Sequence, residues 1–182
     1  MGLPSDDKER VLACLIDVLE RERIPYAVMG GVAVQLYTEE PRTTADLDIA
    51  LHDRGDIPGE SLERAGFMHE GSHGWSDNWR APAPIGTNRR ARIAVQFSAD
   101  RLMSASVDRA IVVRAGDLSF PLVTMDDLIQ LKLAAAEEPE RRASKRNQDV
   151  NDVTRLLEEH PELDSAETRK RIRAVKLSLL DR

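Results

Sequence analysis

The chain has 182 residues, 41% hydrophobic and 32% charged, with a formal net charge of -6 and one cysteine, Cys14. That composition supports a folded domain with a sizeable core and argues against disorder, while no apolar run approaches the roughly 20 residues that cross a bilayer. Cys14 has no partner for an internal disulfide, and the N-terminus lacks a basic stretch followed by an apolar one, so a reduced cytoplasmic setting is expected.

The elements follow in chain order. Ser5 to Arg23 reads as a helix, with Ser5 as N-cap, Asp6 and Asp7 in the first turn, and an apolar stripe of Val11, Leu15, Val18 and Leu19. Pro25 follows its end. Tyr26 to Met29 is a short apolar strand, broken by Gly30-Gly31, and Val32 to Tyr37 is a short helix. Asp46 to Leu51 alternates polar and apolar, the pattern of a half-buried strand. Glu60 to Ala65 is a short helix ended by Gly66. His69 to Gly86, rich in Gly, Pro, Ser and Asn, is a hairpin or long loop.

Arg92 to Ser98, Ala110 to Arg114 and Leu118 to Val123 are strand candidates, the last interrupted by Pro121. From there the pattern is helical. Thr124 to Asp127 forms a capping box ahead of Leu128, Leu131 and Ala135. A second helix spans Ser144 to Glu159, and Asp164 with Glu167 caps a third that carries Ile172, Val175 and Leu179. The expected organisation is an α/β (α+β) core with its N-terminal helix over residues 1–123 and a helical part over 124–182. The charged 137–146 stretch is a linker or helix–helix connection, and no internal repeat is present.

The chemistry concentrates at Asp46 and Asp48. Two residues apart on a strand, their side chains leave the same face, while Leu47 and Ile49 point into the core. Carboxylates held side by side raise each other's pKa unless a cation sits between them. Such a pair suits Mg²⁺ (or Mn²⁺), which keeps several waters and takes its other ligands from substrate phosphates. The Gly30-Gly31 turn stands between a strand and a helix, where glycines let backbone approach a phosphate and the helix start offers free N–H donors. Each half is weak alone; in the order strand, Gly-Gly, helix, strand they are more specific.

Met29-Gly30-Gly31-Val-Ala-Val-Gln-Leu-Tyr followed by Arg42-Thr-Thr44-Ala-Asp46-Leu-Asp48-Ile resembles the polymerase β-like nucleotidyltransferase superfamily. The resemblance is nearest to the bacterial branch that includes the toxins of type IV toxin–antitoxin systems. Leu131-Lys132-Leu133-Ala134 and Arg146-Asn-Gln-Asp149-Val-Asn-Asp152-Val153 are similar to that branch's helical tail, whereas residues 52–110 match only loosely. The resemblance implies a nucleotidyltransferase-type mixed sheet flanked by helices. It also implies nucleotide phosphates held by Gly31 and its helix, with Gly30, Arg42, Thr44 and Lys132 as nucleotide-binding candidates. Asp46 and Asp48 would be the catalytic, metal-binding carboxylates. The reaction implied is transfer of a nucleoside monophosphate from an NTP to a hydroxyl of a tRNA, a protein or a small molecule, and a cognate antitoxin is an implied partner.

One feature departs from that pattern. The family carries a third carboxylate on a later strand, and the matching face here offers Ala94 and Gln96, with Asp100 just beyond. Gln96 can hold a water but cannot act as a base near neutral pH, which leaves a degenerate module that binds nucleotide or a protein partner as the rival reading.

Other residues have two readings each. Arg42 and Thr44 either meet phosphate or form a loop hydrogen-bond pair. Lys132 either reaches a triphosphate or is a core-lining lysine tied to Asp149. Asp149 and Asp152, one helical turn apart, either position Lys132 or Arg146 or sit in solvent. His69-Glu70-Gly71-Ser72-His73 spells the zinc-protease string, but its glycines argue against the helix that chemistry needs. Trp75 and Trp79 either stack on a base or cover a core edge. His52 and His160 show no partner. Seven arginines from Arg80 to Arg114 against Asp100 and Asp108 make that segment net +5, either an RNA-facing surplus or a solvated face.

Overall fold

The computed structural model describes residues 6–39, 44, 46–74, 76–83 and 92–180. Ser5, Arg42 and Trp75, named above, lie outside the described residues. The first helix, α1, runs Asp6–Arg21, and its stripe of Val11, Leu12, Leu15, Ile16, Val18 and Leu19 is buried. A tight turn with Arg23 at φ 56° leads to β1, Tyr26–Met29, buried along its whole length. Helix α2, Gly30–Tyr37, starts at the glycines, two residues earlier than the sequence pattern suggested. Strand β2 is Asp46–Leu51, and α3 is Gly59–Arg64, followed by Gly66 at φ 89°.

The Gly-rich stretch is a hairpin of β3 (Met68–His73) and β4 (Ser76–Arg80). The His69–His73 string is therefore extended, with a register shift between His69 and Gly71, and the helical geometry a zinc-protease site requires is absent from it. Strand β5 is Ala94–Ser98. Next comes α4, Arg101–Asp108, for which the sequence pattern gives no expectation; Asp100 caps it by accepting from Met103 N–H at 2.8 Å. Asp100 is thereby committed to a helix end rather than to the carboxylate face.

Strands β6 (Ile111–Ala115) and β7 (Leu118–Leu122) form a second hairpin. Pro121 does not break β7. It pairs with Val112 of β6, while β7 meets β1 at Val28 and Leu122, beyond the point where the missing N–H would matter. Helices α5 (Met125–Glu137), α6 (Ala143–Glu159) and α7 (Ala166–Leu180) complete the described chain. Thr124 caps α5 as expected, accepting from Asp127 N–H at 3.2 Å and donating to its carboxylate at 2.8 Å. The α7 cap differs from expectation: Ser165 Oγ accepts from Thr168 N–H, and Asp164 pairs with Arg169 instead.

The seven strands form one mixed sheet in the order β3-β4-β5-β2-β1-β7-β6. Strand β2 is central, antiparallel to β1 and parallel to β5. Its Leu47, Ile49 and Leu51 are fully buried, each contributing about 1.5–3 kcal/mol of burial. The hydrophobic cluster around them continues into Leu128, Leu131 and Leu133 of α5 and Val153 and Leu156 of α6. Burying one face of β2 so completely fixes its register, because a one-residue slip would turn the aspartates into the core.

Candidate active site

Asp46 and Asp48 leave the face of β2 opposite Leu47 and Ile49, and both are half-buried. The ladder sets their neighbours. Asp46 lies opposite Ala94 and Asp48 opposite Gln96 on β5; one strand further, Arg80 and Asn78 of β4 lie opposite Ala94 and Gln96. The position across from Asp48 thus holds an amide, as the sequence indicated. Among the described residues no group of three or more His, Cys, Asp or Glu side chains gathers to hold a metal.

The Gly-Gly turn is explained by this face. Gly30 has φ 65°, and a Cβ there would sit 2.6 Å from Asp48 Cγ. A Cβ on Gly31 would sit 2.7 Å from Thr44 Cβ. Both glycines are needed so that β2 and the residue leading into it can press against the start of α2. Gly31 N–H donates to the Asp48 carboxylate, so one of the free donors of α2 is already used on the strand acid. Thr44 is buried, with its hydroxyl 3.5 Å from Asp46 O, and it also lines the cavity in front of the carboxylates.

Burial is the largest influence on Asp48 and raises its pKa above the usual carboxylate value. Lys132 opposes this, the charge of Asp46 adds to it, the Gly31 hydrogen bond opposes it, and Asp149 adds to it. The balance is upward. A cation placed between Asp46 and Asp48 would reverse it, and two hard oxygens on one face, with space in front of them, are a donor set that Mg²⁺ accepts.

That space is a cavity of about 600 Å³. Gly31, Thr44, Asp46 and Asp48 line one side, with Asn78, Arg80 and Gln96 along the sheet. The opposite side comes from the junction of α5 and α6, through Arg141, Arg142 and Lys145. A smaller apolar recess of about 100 Å³, lined by Met29, Met103, Leu128 and Leu131, adjoins it behind Asp48 and Gln96.

Lys132 reaches the cavity wall but is committed. Its ammonium lies 2.9 Å from Asp149 Oδ1 and 2.7 Å from Asp152 Oδ2, with all three side chains buried. Desolvation alone would lower its pKa; the two carboxylates outweigh that and raise it. Asp149 and Asp152 therefore position Lys132. Arg146 goes elsewhere, donating to Ala136 O and Ser178 Oγ.

Among the described residues, two of the arginines from Arg80 to Arg114 are neutralised by acids outside that segment, and Arg89 and Arg90 lie outside the described residues. Arg80 pairs with Glu70 at 2.7 Å, and Arg109 chelates Asp127 from the α5 cap. Trp79 is buried, its Nε1 donating to Asp77 and its ring 4.9 Å from that of His69; it covers the core and is closed to a base. His52 contacts Ser104 and His160 contacts Tyr37 O. The cations that line the cavity with the carboxylate pair, Arg141, Arg142 and Lys145, accompanied by Glu140, are not singled out by the sequence, in which the 137–146 stretch reads only as a charged connection. Its lack of acids in the first turn of α6 was the available signal.

No protein-family model matches the sequence, and no curated protein does. Solved structures do. An antigenic nucleotidyltransferase-like protein from Paracoccidioides brasiliensis superposes with a TM-score of 0.61 at 21% identity, covering 100% of this chain and 92% of that one. The antibiotic-resistance factor ANT(2″)-Ia superposes with a TM-score of 0.57 at 13% identity, covering 94% and 93%. The lincosamide antibiotic adenylyltransferase LnuA, in its lincomycin-bound form, gives 0.53 at 14% identity, covering 81% and 97%. With a central strand that carries the carboxylate pair, a helix that begins at the Gly-Gly turn beside it, and these superpositions, the chain has the nucleotidyltransferase fold.

Proposed function

We propose that this protein is a Mg²⁺-dependent nucleotidyltransferase that moves a nucleoside monophosphate from an NTP to a hydroxyl acceptor. The observation that carries the reading is the pair Asp46 and Asp48, on one face of β2 at the wall of a cavity with basic residues opposite. Asp46 and Asp48 would hold the ion, Mg²⁺ or Mn²⁺, whose contribution is to neutralise phosphate charge and align an in-line displacement. In the reaction the acceptor oxygen bonds to the α-phosphorus, the bond from that phosphorus to the bridging oxygen breaks, and pyrophosphate leaves. Gly30 and Gly31 keep Asp48 seated against α2. Gln96, opposite Asp48, orients a hydroxyl or water through its amide, and the acceptor proton passes to solvent.

A small-molecule acceptor has the most support. A related fold is known in complex with adenylyl-2″-tobramycin and another with lincomycin, and the cavity has the size of a small-molecule site. The tRNA and protein acceptors, and the antitoxin partner, rest on the sequence resemblance to toxins alone. Gln96 favours a second reading, in which the domain binds Mg-NTP without turnover.

The test is calorimetric titration of the four NTPs with Mg²⁺ into wild type and Asp48→Asn, paired with transfer of label from the α-phosphate to aminoglycosides, lincosamides, tRNA and protein. The enzyme reading expects wild type to bind one NTP and to label an acceptor, with Asp48→Asn losing both. Binding without transfer to any acceptor supports the module. Transfer that survives Asp48→Asn sinks the metal-pair mechanism.

A further inference from the structure

The sheet ends in two different ways. Strand β3, at one edge, carries Glu70 and two histidines, and its register shifts between His69 and Gly71, with Gly71 at φ 118°. Bulges and charges of this kind keep an edge from pairing with another chain. Strand β6, at the other edge, has neither a bulge nor a glycine or proline. It reads Ile111-Val112-Val113-Arg114-Ala115 and pairs with β7 in regular register along its whole length.

Two large apolar side chains are open on β6, Ile111 at 47% and Val112 at 75% exposure. Neighbours along a strand point to opposite faces, so both faces of this edge are uncovered. Ile111 lies opposite Leu122, which is fully buried. It is therefore on the core side and is open only because no strand follows β6 among the described residues.

The sequence of β6 complements itself. Set antiparallel to a second β6 about Val113, Val113 falls opposite Val113, Ile111 opposite Ala115, and Val112 opposite Arg114. The largest apolar side chain then meets the smallest, and Val112 lies along the arginine stem. Just beyond the strand, Arg109 of one copy falls opposite Asp117 of the other. Asp117 is exposed and has no ion pair among the described residues, and the Glu9 carboxylate lies beside the same turn at Gly116. Arg109 remains 54% exposed after its bond to Asp127. Centring the pair on Arg114 instead would set two arginines against each other, and centring it on Val112 would part Arg109 from Asp117.

We propose that two copies of this chain pair through β6, antiparallel and centred on Val113, so that their sheets run on as one. Strands β1 and β7 stand between this edge and β2, so the contact is separate from the carboxylate pair.

Sedimentation velocity of the full chain from about 1 to 300 µM should show a monomer–dimer equilibrium with a dissociation constant of about 10–100 µM, as suits a short contact. Val112→Lys changes an exposed side chain and should keep the wild-type unfolding midpoint. It should weaken the dimer more than about tenfold, because it sets a lysine opposite Arg114 twice in a two-fold contact. Asp117→Lys should weaken it about tenfold, and Asp117→Glu by less than about threefold. With Cys14 replaced by serine, Val113→Cys should cross-link two copies on oxidation, since directly opposite residues lie about 4.5–5.5 Å apart between Cα atoms. Val112→Cys should not, since its two copies would be about 7–8 Å apart. A chain that stays monomeric throughout overturns the proposal, as does a dimer that Val112→Lys leaves intact. Cross-linking through Val112→Cys but not Val113→Cys overturns the register.

Discussion

Two pairs of aspartates, one on strand β2 and one on helix α6, are treated in opposite ways. Asp149 and Asp152, a helical turn apart on α6, are closed by the Lys132 ammonium at 2.9 and 2.7 Å. Asp46 and Asp48, two apart on β2, face the cavity, and the protein offers Asp48 only a backbone N–H and the more distant charge of Lys132. Burying charge is costly unless it is paired. The helical pair therefore serves the fold, anchoring α6 to α5 beside the cavity. The strand pair has no ion-pair partner among the described residues, and burial disfavours the ionised form of Asp48, which makes sense as a site when a cation arrives from outside.

The largest effect that would break this contrast is on stability. Replacing Lys132 with Met leaves Asp149 and Asp152 buried without their ammonium, and should cost about 3–5 kcal/mol. Asp48→Asn removes a carboxylate that burial already disfavours, and should leave stability within about 1 kcal/mol of wild type or raise it. Urea unfolding of the two variants measures both. If Asp48→Asn costs as much as Lys132→Met, the strand pair is structural and the contrast fails.

Next in size is Gly30→Ala. A side chain at φ 65° is strained, and its Cβ would overlap the Asp48 carboxylate, so a loss of about 2–4 kcal/mol is expected. Combining it with Asp48→Gly, which removes the clashing group, should recover the packing part of that loss but leave the backbone part. A double variant no more stable than Gly30→Ala alone would show that the glycine is needed for its conformation only.

A smaller effect sharpens the functional side. At a concentration ten times its dissociation constant, Mg-NTP should stabilise wild type by about 1.4 kcal/mol and raise the unfolding midpoint by about 3–6 °C. Asp48→Asn should show no such rise, and Ser72→Ala, at the distant Asp77 cluster, should show it in full. A rise of equal size in Asp48→Asn would place the nucleotide elsewhere.

What the sequence made legible follows from how local each signal is. The β1, Gly-Gly, α2 and β2 run was readable because strand alternation, the glycine pair and the i, i+2 aspartates all fall within residues 26–51. Even there, one reason for the glycines is not legible: they make room for Asp48 and Thr44, and that requires knowing that β2 folds back against α2. The arginines from Arg80 to Arg114 looked like a surplus because Glu70 and Asp127, which neutralise two of them, lie outside that window. Helix α4 was missed because eight residues give little periodicity, although Asp100 three residues before Met103 was a usable cap signal. Arg141, Arg142 and Lys145 were invisible as a group, since only the packing of α6 beside α5 turns them towards β2.

The smallest effect is a pH slope, and it separates the two halves of the sheet by sign. Asp48 is raised above its ordinary value of 3.8, chiefly by burial. Between that value and its folded one, the native state binds more protons than the unfolded state, so this group makes stability fall as pH rises through the window. Asp77 behaves in reverse. Burial alone would raise it, but hydrogen bonds from Ser72, Trp79 and His69 outweigh that and lower it, so its contribution is present above 3.8 and lost as pH falls towards its folded value. Subtracting the unfolding free energy of Asp48→Asn from that of wild type across acidic to neutral pH cancels the Asp77 contribution and should leave a difference that declines as pH rises. Adding Mg-NTP should flatten that decline, because the ion binds the ionised pair. A difference curve level at every pH, with and without Mg-NTP, would mean that Asp48 titrates like a solvated carboxylate and that the under-compensated strand pair does not exist.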